Sequence, residues 1–275
     1  MYEGRITVKE YNLTAQELIY LCALSGAKFV AGVEDVFMSV PKEKLVGLMS
    51  EIKDSLIEKE CLIMDFDGNY GPAEDIAVLT DTIIQSDRRV AFYVTDGKKE
   101  KYGMIYIKGD TVYLSERSED VYHIRPTAVK DILPFFAVYI KDGIKGSVAQ
   151  NSVSIGADIL ETAKEQFENK KITNSKKTLT DAGLDSKIKD LLLASYAGKA
   201  AYLAVKADNL IPDKVFSDGL IYISDGETTV DIDFNPERED NVLNIKNTSS
   251  EKEKEKLTAM LAGFDLVVPE TEERQ

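Results

Sequence analysis

The sequence predicts an α+β fold: a duplicated, pseudo-two-fold unit whose halves each carry helices, a four-stranded antiparallel meander and a closing helix. Three observations predict it. Strand-like segments follow one another four at a time, twice, with no helix-length pattern between them, and consecutive strands joined by short turns run antiparallel. The segment Gly103-Met-Ile-Tyr-Ile107 matches Gly219-Leu-Ile-Tyr-Ile223 at the same place in each run, and self-similarity in a repeated order points to duplication. Helices are grouped before and after each run instead of alternating with strands, which separates α+β from parallel α/β folds. The expected halves are residues 1–140 and 141–268, and residues 269–275 read as a solvated, disordered tail.

The first helix is set by Thr14 and Glu17, a capping-box pair, by Leu18, Leu21 and Cys22 at helical spacing, and by Gly26 as its stop. A second helix opens at Pro41 and aligns Leu45, Leu48, Met49, Ile52 and Leu56 on one face. Cys61 to Phe66 reads as a short strand, and Pro72 begins a third helix with Ile76, Leu79 and Ile83 inward. The first meander is Arg89 to Thr95, Tyr102 to Lys108, Thr111 to Glu116 and Asp120 to Arg125. Its breaks are Asp96-Gly97, Gly109-Asp110 and Ser118-Glu119; Asp-Gly is a strong hairpin signal because primed turns need positive φ. A helix led by Pro126 closes the half, with Val129, Leu133 and Phe136 inward. The second half has helices from Ser154 to Asn169 and Asp185 to Tyr196, with a weaker helical piece near Leu179. Its strands are Ala200 to Ala207, Gly219 to Ser224, Thr228 to Phe234 and Asn241 to Lys246, with a turn at Asp225-Gly226. Ser250 and Glu253 read as a second capping box for the last helix, which turns Leu257, Met260, Leu261 and Phe264 inward.

The chain has 275 residues, enough for one large or two ordinary domains with a sizeable core. Its formal net charge of -14 repels nucleic acid and anionic membrane and favours basic partners. No basic stripe interleaved with aromatics is present to neutralise phosphates, so nucleic acid is not an expected partner. The longest apolar run, around Ile132 to Ile140, holds Pro134 and ends at Lys141, short of a membrane span. The amino terminus lacks the apolar core of a signal peptide. A cytoplasmic protein without membrane insertion, monomeric or weakly dimeric, is expected. Cys22 and Cys61 lie far apart inside apolar patterns, which suits two buried reduced thiols.

The sharpest catalytic motif is Asp65-Phe-Asp67-Gly68 after an apolar segment. It resembles the first motif of haloacid-dehalogenase-type phosphatases, in which the first Asp attacks phosphorus and the second is acid/base. Weaker echoes stand at Val90 to Thr95 and at Ile221 to Asp231. That fold needs a parallel sheet with helical crossovers, for which the meander leaves no room, and Asp-Gly builds tight turns without any chemistry. His123, the only histidine, has neither a Ser nor a Cys motif to pair with. Asp231 and Asp233 alternate with Val230, Ile232 and Phe234, which places both carboxylates on one sheet face, expected to be solvated. Lys252-Glu-Lys-Glu-Lys256 reads as a solvated helix turn. No catalytic residue, metal or cofactor is expected, and binding is the expected function.

The opening Leu13-Thr-Ala-Gln-Glu17-Leu18-Ile-Tyr-Leu21-Cys-Ala-Leu24-Ser-Gly26 resembles that of the EspG family, cytosolic chaperones of type VII (ESX) secretion. Leu133-Pro134 is similar to that family's closing "LLP", and the element order agrees over nearly the whole chain. The resemblance implies a non-enzymatic protein that binds the apolar tip of a helical secreted partner and keeps it ready for export. The excess of Lys over Arg and the absence of Trp depart from mycobacterial members, so helical-hairpin clients of the WXG100 or LXG type are expected instead. It also implies that second-half helices and a loop of the first meander flank the client. These carry Phe167 and the hairpin tip Lys98-Lys99-Glu100-Lys101, a rare positive spot. Phe135 and Phe136 belong to a run with more apolar residues than one helix face buries, to be exposed or packed at the junction of the halves. The other binding reading is an acidic immunity protein that neutralises a basic toxin through charge, whose complex would weaken steeply with salt.

Overall fold

The computed structural model describes residues 9–140, 152–233 and 242–267. In chain order the elements are β1 (Tyr11–Thr14), α1 (Ala15–Leu24), α2 (Lys42–Glu58), β2 (Leu62–Met64), β3 (Tyr70–Pro72) and α3 (Glu74–Ile84). The first meander is β4 (Arg88–Thr95), β5 (Glu100–Lys108), β6 (Thr111–Ser118) and β7 (Val121–Thr127), closed by α4 (Val129–Ala137). Then come β8 (Ser152–Gly156), α5 (Ala157–Glu168), α6 (Ile172–Asp181) and α7 (Ser186–Tyr196). The second meander is β9 (Ala201–Asn209), β10 (Phe216–Ser224), β11 (Thr229–Asp233) and β12 (Val242–Asn247), closed by α8 (Ser250–Gly263). The fold is α+β with antiparallel sheet pairing, as expected. The tail, Phe234 and Asn241 lie outside the described residues.

The chain divides into two compact units, one of residues 9–89 with 103–128 and one of residues 90–102, 129–140, 152–233 and 242–267. In the first, β1 pairs antiparallel with β7, and β7 with β6. Its core joins Leu18, Leu21 and Cys22 of α1, Leu56 of α2 and Ile76, Leu79 and Ile83 of α3 to Tyr106, Tyr122 and Ile124 of the strands. Tyr106 is fully buried and donates its hydroxyl to Ala31 O at 2.6 Å. Both thiols are buried and unpaired, and burial pushes Cys22 up to about 12.

The first capping box forms as the sequence indicates. Thr14 Oγ1 accepts from Glu17 N at 3.2 Å, Glu17 Oε2 accepts from Thr14 N at 2.8 Å, and Gly26 follows the helix at φ +89. Glu17 does more than cap. Buried to 3% exposure, it also accepts from Ser55 Oγ and Lys59 Nζ, both at 2.7 Å, so it ties the start of α1 to the end of α2. Burial alone would push its carboxyl up, but the bonds from Lys59, Ser55 and the Thr14 N–H outweigh that and hold it below the ordinary carboxylate value.

In the second unit β9, β10, β11 and β12 pair in sequence, and β8 adds to β12. Ile188, Leu191 and Leu192 of α7, Ala163 of α5 and Leu179 of α6 pack with Ile223, Val230, Ile232 and Ile245 on one sheet face. The opposite face of β10 and β11 carries Tyr222 and Asp231, which stand in register with each other. α8 packs against β10, and α4 against α8.

Four expectations need correction. Pro72 and Pro126 do not lead helices. They end β3 and lie within β7, where Pro126 is paired with Tyr113, and the helices begin at Glu74 and Val129; the fixed φ of proline suits a strand end as well as a first helical turn. Ser154 opens no helix, because Ser152–Gly156 is the edge strand on β12. The last helix is capped by Ser249, whose side chain accepts from Lys252 N, while Glu253 turns inward to Thr248 Oγ1 at 2.7 Å. Asp231 is not solvated. It is 0% exposed, with Lys256 Nζ at 2.9 Å and its cross-strand partner Lys246 Nζ at 3.0 Å, because α8 covers that face.

Glu253, 1% exposed, has an ordinary pKa of 4.5 that burial, reinforced by the charge of Asp231, pushes up to about 7; Thr248, Lys256 and Lys246 oppose the shift. The folded chain therefore holds a proton there that the unfolded chain has lost, and this contribution to stability fades as pH rises from 4.5 to about 7. Glu253→Gln should flatten that decline, read as urea midpoints between about pH 5 and about pH 8; an unchanged slope would refute the assignment. For Glu17 the sign is opposite. Glu17→Gln should cost about 2 kcal/mol at neutral pH, and the gap to wild type should close in acid, where the wild-type carboxyl is protonated.

Candidate partner-binding site

All six residues singled out in the sequence lie in the second unit, but the sheet divides them. Phe92 and Tyr93 are neighbours on β4 and point to opposite faces, as strand geometry requires. The Phe92 ring meets Phe135 at 5.2 Å and Phe136 at 5.6 Å, both edge-on. The Tyr93 ring meets Tyr202 of β9 at 5.5 Å. Phe135 and Phe136 therefore belong to the α4 face, and the turn, α5 and α7 to the other.

Phe136 is 0% exposed and closes the core between α4 and β4, so it holds the helix rather than meeting a partner. Phe135 is half-buried beside it. On the opposite face, Phe167 near the end of α5 is half-buried with its ring 5.9 Å from Tyr196, the last residue of α7. Three residues further on, Lys199 meets the β4–β5 turn: a Cβ placed on Gly97 would stand 3.2 Å from Lys199 O, and Gly97 adopts φ +86. Close backbone approach and positive φ both require glycine here.

The turn is built to present cations. Asp96 Oδ1 accepts from the N–H of Lys98 at 2.9 Å and of Lys99 at 3.0 Å. Glu100 is turned back onto Tyr93; burial first, then the Glu100 carboxylate, pushes that phenol up to about 12. With both acids of the turn engaged, Lys98 and Lys99 point into solvent beside exposed Lys199, and Lys101 lies half-buried next to them. Lys170 and Lys171 are exposed just beyond Phe167. An aromatic pair bordered by lysines thus forms on an acidic chain, an arrangement suited to holding an apolar segment with carboxylates at its edge. Tyr196 and Lys199 were not foreseen, because the Phe167–Tyr196 contact and the approach of Lys199 to Gly97, about a hundred residues away, leave no local signal.

The remaining candidates are placed elsewhere. Asp65 and Asp67 lie in the exposed β2–β3 turn, where Asp65 Oδ1 accepts from the N–H of Asp67 and Asn69. His123 stands opposite Asn12 in the β1–β7 ladder, Nδ1 2.6 Å from Asn12 Oδ1. Among the described residues no cluster of His, Cys, Asp and Glu could hold a metal ion, and no helix is long and apolar enough to cross a membrane.

No protein-family model matches the sequence. No curated protein matches it either. In structure the chain is similar to the type VII secretion system chaperone EspG5 of Mycobacterium tuberculosis, solved in complex with a PE25–PPE41 dimer. The TM-score is 0.56 at 15% identity, over 95% of this chain and 98% of that one. The fold is thus EspG-like, the architecture that the Leu13 to Gly26 resemblance implied.

Placement sets the cost of mutation. Phe136→Ala should lower unfolding free energy by about 3–5 kcal/mol through the cavity it leaves. Phe167→Ala, at a half-exposed site, should cost about 1 kcal/mol. Equal losses in urea unfolding would contradict the placement.

Proposed function

We propose that this chain is a non-enzymatic, cytoplasmic chaperone of type VII secretion that binds the apolar end of a helical secreted protein and keeps it soluble for export. The reading is carried by the likeness in fold to EspG5 over 95% of the chain. The surface formed by Phe167, Tyr196 and the β4–β5 turn supports it, because it joins apolar area to cations on the face that the sequence resemblance indicated. A helical-hairpin protein of the WXG100 or LXG type suits this surface. The end of its hairpin would cover the Phe167–Tyr196 pair while carboxylates beside it meet Lys98, Lys99 and Lys101. Aromatic burial would supply affinity, and the lysines register and association rate.

The repeated order of elements supports an internal duplication as the origin of this fold. Strand β1 precedes α1 and pairs with the last strand of its meander, and β8 precedes α5 and does the same. In the sequence alignment of Gly103–Ile107 with Gly219–Ile223, Tyr106 corresponds to Tyr222, and both are 0% exposed.

The test is binding of a helical-hairpin secreted protein from the same host at low and high salt. Phe167→Ala should weaken the complex about tenfold at either salt. Reversing Lys98, Lys99 and Lys101 to Glu should slow association about tenfold at low salt and have little effect at high salt. A wild-type complex that dissolves in high salt would favour the immunity reading. A folded Phe167→Ala protein with full affinity would remove this surface from the function.

A further inference from the structure

The β2–β3 turn, which carries the Asp65-Phe-Asp67-Gly68 motif, has the form of a docking anchor. Its backbone is closed by Asp65 N to Asn69 O at 2.8 Å and Gly68 N to Asp65 O at 3.2 Å, with Gly68 at φ +83. Asp65 Oδ1 caps the N–H groups of Asp67 at 2.9 Å and Asn69 at 2.8 Å. The base of the hairpin is fixed by Cys61 N to Leu56 O of α2, by Ala73 N to Cys61 O, and by Lys53 over the Tyr70 ring at 4.5 Å.

This rigid frame holds apolar side chains in water. Phe66 is 111% exposed, Met64 63% and Ile63 54%. A single exposed apolar residue is ordinary, but a phenylalanine held fully in water by a pre-organised turn, with two further exposed apolar residues just before it on β2, is of the kind that marks a partner site. Two carboxylates, Asp65 and Asp67, flank the ring, and no cation pairs with either among the described residues. We propose that this turn is a second interaction surface, on which Phe66 inserts into an apolar pocket rimmed by Lys or Arg on another protein. The flanking charges choose the occupant. A second copy would bring four carboxylates together on chains of net charge -14, and an anionic bilayer would meet the same repulsion. A basic-rimmed pocket gains from both the ring and the carboxylates, and the closed turn leaves little entropy to lose on binding.

The experiment replaces Phe66 with a photo-crosslinking phenylalanine derivative in the full chain, in the producing cells. The crosslinked protein is then identified, purified and titrated against wild type, Phe66→Ser and Asp65→Asn/Asp67→Asn, the last keeping the acceptor that closes the turn. The proposal expects Phe66→Ser to weaken binding at least about tenfold. It expects the double Asn variant to slow association and flatten its salt dependence. Equal affinity of wild type and Phe66→Ser for every crosslinked protein, or no crosslink above background, would overturn it. So would a Phe66-dependent dimer in sedimentation, or Phe66-dependent flotation with phosphatidylcholine vesicles.

Discussion

Strand alternation is the constraint on which the second unit depends. Because neighbouring residues on β4 cannot share a face, Phe92 is committed to α4 and Tyr93 to Tyr202 on the face of α5 and α7. The same rule on β10 and β11 sends Ile223, Val230 and Ile232 to the α5–α7 core, and Tyr222 and Asp231 toward α8. Helices therefore pack on both faces of these strands. What remains for a partner lies where the sheet ends, at the β4–β5 turn and the α7–β9 connection.

Packing draws polar groups inside, and the buried carboxylates Asp231 and Glu17 are matched. Asp231 lies between Lys246 and Lys256, and Glu17 is held by Lys59, Ser55 and a backbone N–H. Such groups add little net stability, but losing one partner strands the other, so they fix which helix docks where. Glu253 is the partial exception. One oxygen takes the Thr248 hydroxyl while the other is buried without a partner among the described residues, and a carboxyl so placed favours its neutral form.

The two surfaces left open differ in the chemistry they offer. One joins the Phe167–Tyr196 pair to lysines whose neighbouring acids are occupied by backbone N–H groups and a tyrosine. The other is a rigid acidic turn that holds Phe66 in water. An overall charge of -14 makes the first distinctive, because the surrounding field directs anionic groups away from the rest of the surface. The second follows the overall sign and selects a partner of the opposite one.

Local chemistry determined much of this protein. The Thr14–Glu17 capping box, the Asp-Gly turns and the periodicity of α1, α2, α3 and α8 are written within a few residues of where they act, so helices and meanders were legible to within a few positions. The edge strands β1 and β8 were not, since each is a strand only by virtue of a partner about ninety or more residues away, as Asn12 with His123 and Ser154 with Asn244. Asp231 misled for a related reason: alternation tells that two residues share a face, but not that a helix lies over it. The lysines of the β4–β5 turn and Phe167 could be named in advance as positive and apolar features. Their assembly through Tyr196 and Lys199, and the assignment of Phe136 to the core, were decided only by chain closure, which brings distant segments together without leaving a mark on either.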